Sequence, residues 1–259
     1  MLKAILFDLG DTLFDFEPMN RVEVFEKAGR NTYDFLASMG HTLPPFKKYY
    51  SSQVWTVRWA YLWSVLRRRE FNVFDLLVQV CNHKMQLGLD GATLRELAWQ
   101  WYSPLTSLTK VAPDVIPTLT TLRDRGLKLA LVSNTFIPGF VLDKHLQMHD
   151  LLEFFPTRVY SSAVGVCKPH PRIFEEALRQ VGVSAGEALF VGDVVRKDIV
   201  GAQRVGMRAV LRKPKAVNGH HSVADFVIRR ISELHHIVAT FDTPATAEEI
   251  PLEALVSET

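Results

Sequence analysis

Residues 7 to 14 read FDLGDTLF, which sets the carboxylates of Asp8 and Asp11 three residues apart, with Gly10 between them, at the end of a short apolar run. Other residues able to do chemistry also follow apolar runs. Ser133, Asn134 and Thr135 come after "LALV", Asp193 and Asp198 lie in "GDVVRKD" after "ALFV", and Lys168 sits in "VGVCKPHPRIF" beyond "RVYS". If these runs are strands of one open α/β sheet, their carboxyl ends share one edge, and ligands settle there. Carboxylates gathered in one cleft raise each other's pKa unless a cation neutralises them. Mg²⁺ does so with oxygen ligands and keeps coordination positions for water and a substrate phosphate. Lys168, Ser133 and the amides after Asp8 can donate to the remaining phosphate oxygens. The constellation predicts Mg²⁺ as cofactor and a small phosphorylated molecule as substrate.

The elements that must position these groups are legible as alternating textures. Residues 4–7, 129–132, 158–161, 188–191 and 208–211 read as strands buried on both faces. Helical patterns lie between them. In "HPRIFEEALRQVG", Pro171 suits a first turn, Ile173, Phe174, Ala177, Leu178 and Val181 share a face, and Gly182 stops the helix. Residues 113–126 and 197–206 end on glycine in the same way. This alternation predicts an α/β fold with a parallel sheet covered on both faces.

Strand signals vanish between residues 17 and 107, where the chain becomes helical, aromatic and locally basic. We expect an inserted helical unit at 17–107, an α/β core made of 1–16 and 108–240, and a tail or arm at 241–259. Trp55, Trp59 and Trp63 recur every four residues, which puts them on one helix face and predicts that they pack in a core, with a substrate-facing aromatic wall as the alternative. Arg67, Arg68 and Arg69 read as a solvated helix end, with one of them reaching toward an anionic substrate as the alternative. His220, His221, His235 and His236 come as adjacent pairs whose side chains diverge, so they are expected on the surface rather than on a shared metal.

Composition narrows the class. The 259 residues, 47% hydrophobic and 22% charged with a net charge of +2, describe a globular protein and give no reason to expect nucleic acid as a partner. No apolar run reaches the roughly 18 residues of a membrane-spanning helix, and the apolar start stops at Asp8, too soon for a signal-peptide core. Cys81 and Cys167, only two and far apart, fit small buried hydrophobes in a reduced cytoplasmic protein. Oligomeric state is not written in the sequence.

Four stretches in order, FDLGDTL, LVSN, KPHPRIF and VGDVVRKDIVGAQRVGM, resemble the four motifs of the haloacid dehalogenase superfamily, most of whose members are phosphatases. The resemblance spans nearly the whole chain and implies a Rossmann-like core. The insertion after the first motif resembles the helical cap of one branch. It implies that Asp8 is the nucleophile that takes up phosphorus. Asp8, Asp193 and the Gly10 carbonyl would hold Mg²⁺, with Asp198 supporting the ion, its waters and Lys168. Ser133 and Lys168 would bind the phosphoryl group, with Asn134 and Thr12 close by. The cap would move about hinges near residues 16–18 and 102–105 and shut over the cleft.

One position departs from the family. Many of its phosphatases carry an acid/base aspartate two residues after the nucleophile, where this chain has Gly10. General acid and base help is worth about 10²- to 10⁴-fold, so its loss slows turnover without abolishing attack. Three explanations are open: Asp11 or a cap residue stands in, the substrate has a good leaving group such as an acyl phosphate, or the protein binds without turnover. Metal-free carbon–halogen hydrolysis by the same aspartate is a further alternative, which Asp193 and Asp198 weigh against.

Overall fold

The computed structural model describes residues 1–67, 71–213 and 223–242. Arg68, Arg69, His220, His221 and the tail from residue 243 lie outside the described residues, as does the side chain of Arg67. The strands are β1 (Ala4–Phe7), β2 (Asp15–Phe16), β3 (Thr109–Lys110), β4 (Lys128–Ser133), β5 (Thr157–Tyr160), β6 (Ala188–Gly192), β7 (Arg208–Arg212) and β8 (Phe226–Ile228). Six form one parallel sheet in the order β5-β4-β1-β6-β7-β8, so β1, which leads into Asp8, is central.

Both faces of that sheet are covered, as its continuous apolar strands require. Ile5 and Phe7 of β1 point to one side with Leu129, Leu131, Leu189 and Val191. Ala4 and Leu6 point to the other, with Ala130, Val132 and Phe190. The period of two along each strand sets this division. The second face is packed by Ile173, Phe174, Ala177, Leu178 and Val181 from the helix Pro171–Val181, the five positions expected to share a face. Gly182 ends that helix in the left-handed region at φ 73°. On the first face lie the helices Val115–Asp124 and Leu234–Asp242. The latter runs past the expected boundary at 241.

Between β2 and β3 the described chain is helical: Arg21–Ser38, Phe46–Arg67, Val73–Val78 and Gly91–Tyr102, with a π-helical turn at Gln79–Lys84 and a 3-10 turn at Ser103–Leu108. The two strands pair antiparallel, Asp15 with Lys110 and Phe16 with Thr109, where the chain leaves the sheet layer and returns. The Glu17 amide donates to the Leu108 carbonyl at 2.9 Å.

The tryptophan stripe is a correction. Trp55, Trp59 and Trp63 are 59%, 54% and 47% exposed rather than packed in a core. The side of their helix that packs inward carries Tyr49 and Gln53, whose hydroxyl and amide bond each other at 2.8 Å and reach Thr32. Positions 55 and 59 lie on the opposite side, because successive residues turn by about 100°. Cys81 is buried as expected, and burial pushes its thiol up to about 11. His235 is half-buried and His236 exposed.

Candidate active site

Three strand ends and one loop build the site. The Asp8 amide donates to the Val191 carbonyl of β6 at 2.8 Å, which fixes Asp8 one residue beyond β1. Ser133 closes β4, and Gly192 closes β6 immediately before Asp193. Gly192 has no substitute here, since a Cβ would lie 2.5 Å from both Cβ and Cγ of Asp198. Its absence lets the Asp198 carboxylate slide beneath the strand end, where Oδ2 accepts the Val194 amide at 2.9 Å. A π-helical turn at Val195–Ile199 carries Asp198 into that position.

Lys168 arrives from the loop that precedes the helix at Pro171, and Asn134 anchors it. The Asn134 Oδ1 accepts the Lys168 amide at 2.7 Å, and its Nδ2 donates to the Lys168 carbonyl at 3.0 Å. Lys168 Nζ then bridges two carboxylates, at 2.6 Å from Asp8 Oδ1 and 2.8 Å from Asp198 Oδ1. Burial opposes the ammonium, yet Asp8 and Asp198 outweigh it and hold the Lys168 pKa above its ordinary value. For Asp8, burial outweighs Lys168 and raises the carboxyl pKa. Burial, followed by the charges of Asp8 and Asp198, pushes Asp193 up to about 7.

Asp8, Asp193 and Asp198 each offer an oxygen within 4.8 Å of the others. Lys168 is the ammonium that pairs with Asp8 and Asp198, and Lys213, bonded to the Asp193 carbonyl, only partly offsets the rise in the Asp193 pKa, while all the donors are hard oxygens. That set fits a divalent cation such as Mg²⁺.

Asp8, Gly10, Asp11, Ser133, Asn134, Lys168, Asp193 and Asp198 all line one cleft of about 320 Å³. Thr12 does not. Its side chain is fully buried and its hydroxyl has no partner among the described residues, so the tight turn after Asp8 places it inside rather than on the cleft wall. Asn134 lines the cleft, but its amide is spent on the Lys168 backbone.

Sequence reasoning missed several residues of the same cleft. Phe16 covers Gly10, with its Cε2 3.4 Å from where a Cβ would stand. Tyr102, at the end of the helix Gly91–Tyr102, lines the wall with its hydroxyl 2.8 Å from Nδ1 of the buried His145. Lys197 joins from the π-helical turn. Outside the cleft lining, Arg212, at the end of β7, reaches across to Asp15 at 2.6 and 3.1 Å and donates to the Asp11 carbonyl at 3.0 Å, bracing the loop that carries Asp11. Reading what ends each strand finds Arg212 as it finds Asp8; no sequence signal marks Tyr102.

A parallel sheet with Asp8 one residue beyond its central strand and Asp193 directly after the neighbouring β6 is a Rossmann-like α/β core with its acids on one edge. Residues 2–206 match the haloacid dehalogenase-like hydrolase family, and the chain belongs to it. A glyceraldehyde 3-phosphate phosphatase of Methanopyrus kandleri is 33% identical over 92% of this chain and 97% of its own. Among solved structures, a phosphatase of the family from Thermococcus onnurineus is 29% identical with a TM-score of 0.56, covering 92% of this chain and 98% of its own. A 2-haloacid dehalogenase from Pseudomonas syringae pv. Tomato DC3000 is 26% identical with a TM-score of 0.63, covering 93% of this chain and all of its own.

Proposed function

We propose that this hydrolase is a Mg²⁺-dependent phosphatase that acts on a small phosphorylated metabolite through Asp8. The observation that carries the reading is the bridging of Asp8 and Asp198 by Lys168 in a cleft where a third carboxylate, Asp193, offers an oxygen within 4.8 Å of theirs. The phosphatases among its relatives support it.

Asp8, Asp193 and the Gly10 carbonyl would hold the ion, with Asp198 behind them; when bound, it supplies positive charge to the phosphate oxygens. Lys168 fixes Asp8 by one carboxylate oxygen. The other attacks phosphorus, an O–P bond forms, and the bond to the alcohol oxygen breaks. Ser133 and Lys168 donate to the transferring group, where charge stabilisation and positioning dominate. Water then attacks phosphorus, releases Asp8 and yields inorganic phosphate. The alkoxide must gain a proton in the first step and the water must lose one in the second. Asp11, on the cleft rim, is the carboxylate of this loop left for both transfers.

The helical unit between β2 and β3 would serve as a cap over this cleft, and the short β2–β3 ribbon as its hinge. Reduced cysteine thiols support a cytoplasmic setting, and no helix among the described residues is long and apolar enough to cross a membrane.

The test is hydrolysis of phenyl phosphate with and without Mg²⁺, run beside Asp8→Asn. Turnover that needs both the metal and Asp8 is expected; a rate equal to that of Asp8→Asn would instead favour a binding protein. The likeness to a dehalogenase, together with Gly10, gives carbon–halogen hydrolysis a place as second reading. Chloride release from a 2-chloro acid in the presence of a chelator would establish it.

A further inference from the structure

Beside the catalytic cleft lies a second and larger cavity of about 820 Å³. Leu105 and Ile137 line both, so the two spaces adjoin. One wall is the exposed stripe of the helix Phe46–Arg67, where Trp55, Trp59 and Leu62 stand at i, i+4 and i+7. Facing it are Phe25, Trp101 and Phe136, with Phe25 and Phe136 both set edge-on to Trp101. The two charged side chains of the lining, Arg21 and Arg58, are cationic, and Arg58 also lies 5.7 Å from the Trp55 ring.

That lining has no carboxylate, amide or aliphatic hydroxyl among the described residues. A sugar or polyol bound there would find donors in Arg21, Arg58, the Tyr61 hydroxyl and the indole N–H groups, but no carboxylate or amide to accept its own hydroxyl protons, so part of its hydration would be lost without replacement. An apolar group gains about 25 cal/mol for each Å² removed from water. Cavities of roughly 300–1,000 Å³ take ligands much larger than a triose.

Resting on the phosphatase reading, we infer that the preferred substrate is a phosphomonoester of a bulky apolar alcohol. Its phosphate sits at Asp8 and its hydrocarbon part lies between the Trp55–Trp59–Leu62 stripe and the Phe25–Trp101–Phe136 wall. The exposure of the tryptophans then has a physical reason, because the partner that covers them is the ligand.

The experiment compares phenyl, 2-naphthyl and 4-biphenylyl phosphates, whose leaving groups are alike and whose apolar size grows. Glyceraldehyde 3-phosphate serves as the small polar reference. With Mg²⁺, kcat/KM is expected to rise at least tenfold from phenyl to biphenylyl, carried by a falling KM. Trp59→Ser and Leu62→Asn, both at exposed positions that leave the core filled, should each cut the biphenylyl-to-phenyl ratio severalfold. Equal kcat/KM for phenyl and biphenylyl phosphates, or a ratio untouched by both variants, overturns the inference. If no ester is turned over beyond Asp8→Asn, the phosphatase reading fails instead. The groove is then judged by tryptophan fluorescence, where 4-biphenylyl phosphate should quench the protein and Trp59→Ser should weaken that binding. Absence of quenching would dispose of the groove as well.

Discussion

Gly10 governs how much of the proposed reaction this site can perform. Its backbone lies outside the left-handed region, whereas the next residue, Asp11, sits inside it at φ 53°. A side chain at position 10 is therefore free of backbone strain and meets one neighbour, the Phe16 ring edge at 3.4 Å. In an Asp11→Asn background, where the proposed proton carrier is gone, Gly10→Asp is expected to raise kcat for an alkyl phosphate by about a hundredfold, the low end of the ~10²- to 10⁴-fold range of acid–base help. The gain should be far smaller for acetyl phosphate, whose leaving group needs no proton. Because Asp11 carries the proton in the proposed reaction, Asp11→Asn alone should cost a comparable factor and Gly10→Asp alone should add little; the reverse pattern would remove Asp11 from that role. Steady-state kinetics on the two substrates separates these outcomes.

His145 contributes at the same scale through its protonation. It is fully buried, and burial with help from neighbouring His149 lowers its pKa to about 4. Above the unfolded value of 6.5 both states carry neutral imidazole. Between that value and about 4 the unfolded chain takes up a proton that the folded chain refuses, so stability falls as pH falls. At about pH 5 the loss is on the order of 2 kcal/mol. Urea unfolding at roughly pH 7.5 and pH 5 should show most of that difference vanish in His145→Gln, which keeps a hydrogen-bonding group for Tyr102.

At the scale of elements, Arg212 ties the end of β7 to the loop after β1 and to β2, two pieces far apart in sequence. Its buried fork holds Asp15 with two bonds and the Asp11 carbonyl with one of the same nitrogens. Lysine cannot reproduce that fork. Arg212→Lys is expected to lower kcat by about tenfold with little change in KM, because the catalytic loop loses its brace while the phosphate donors remain. Asp15→Asn should act alike, and the double variant should be little worse than either single one.

The elements themselves are largely legible in the sequence. Buried strands announce themselves as unbroken apolar runs, and four of the five expected ranges fall within or match the observed strands. The fifth, 158–161, slips by a residue because Ser161 already opens the short helix Ser161–Val164. Asp8, Asp193, Asp198 and Lys168 are readable because strand ends share an edge. Thr12 is not, because spacing alone does not say which way a tight turn points a hydroxyl. The tryptophans mislead because a helical period reports that a face exists and not what lies against it.

For the whole molecule, the three carboxylates gathered at the strand ends predict linkage between cation binding and folding. At free Mg²⁺ about a hundred times its Kd, the native state gains about 2.7 kcal/mol. For a chain of this size that is a rise in Tm of roughly 5 °C or more. Differential scanning fluorimetry across a Mg²⁺ titration should show the rise, and Asp193→Asn should flatten it. Chelation should return the wild type to its lower melting point.

The ammonium of Lys168, lodged between Asp8 and Asp198, has a consequence for how the protein is assembled in the first place. An internal cation built into the chain is present from the moment these loops meet, so the acids can come together during folding without waiting for an ion from solution. Newly made protein in a magnesium-starved medium should therefore reach its native shape and stay dormant, ready to start on addition of the salt.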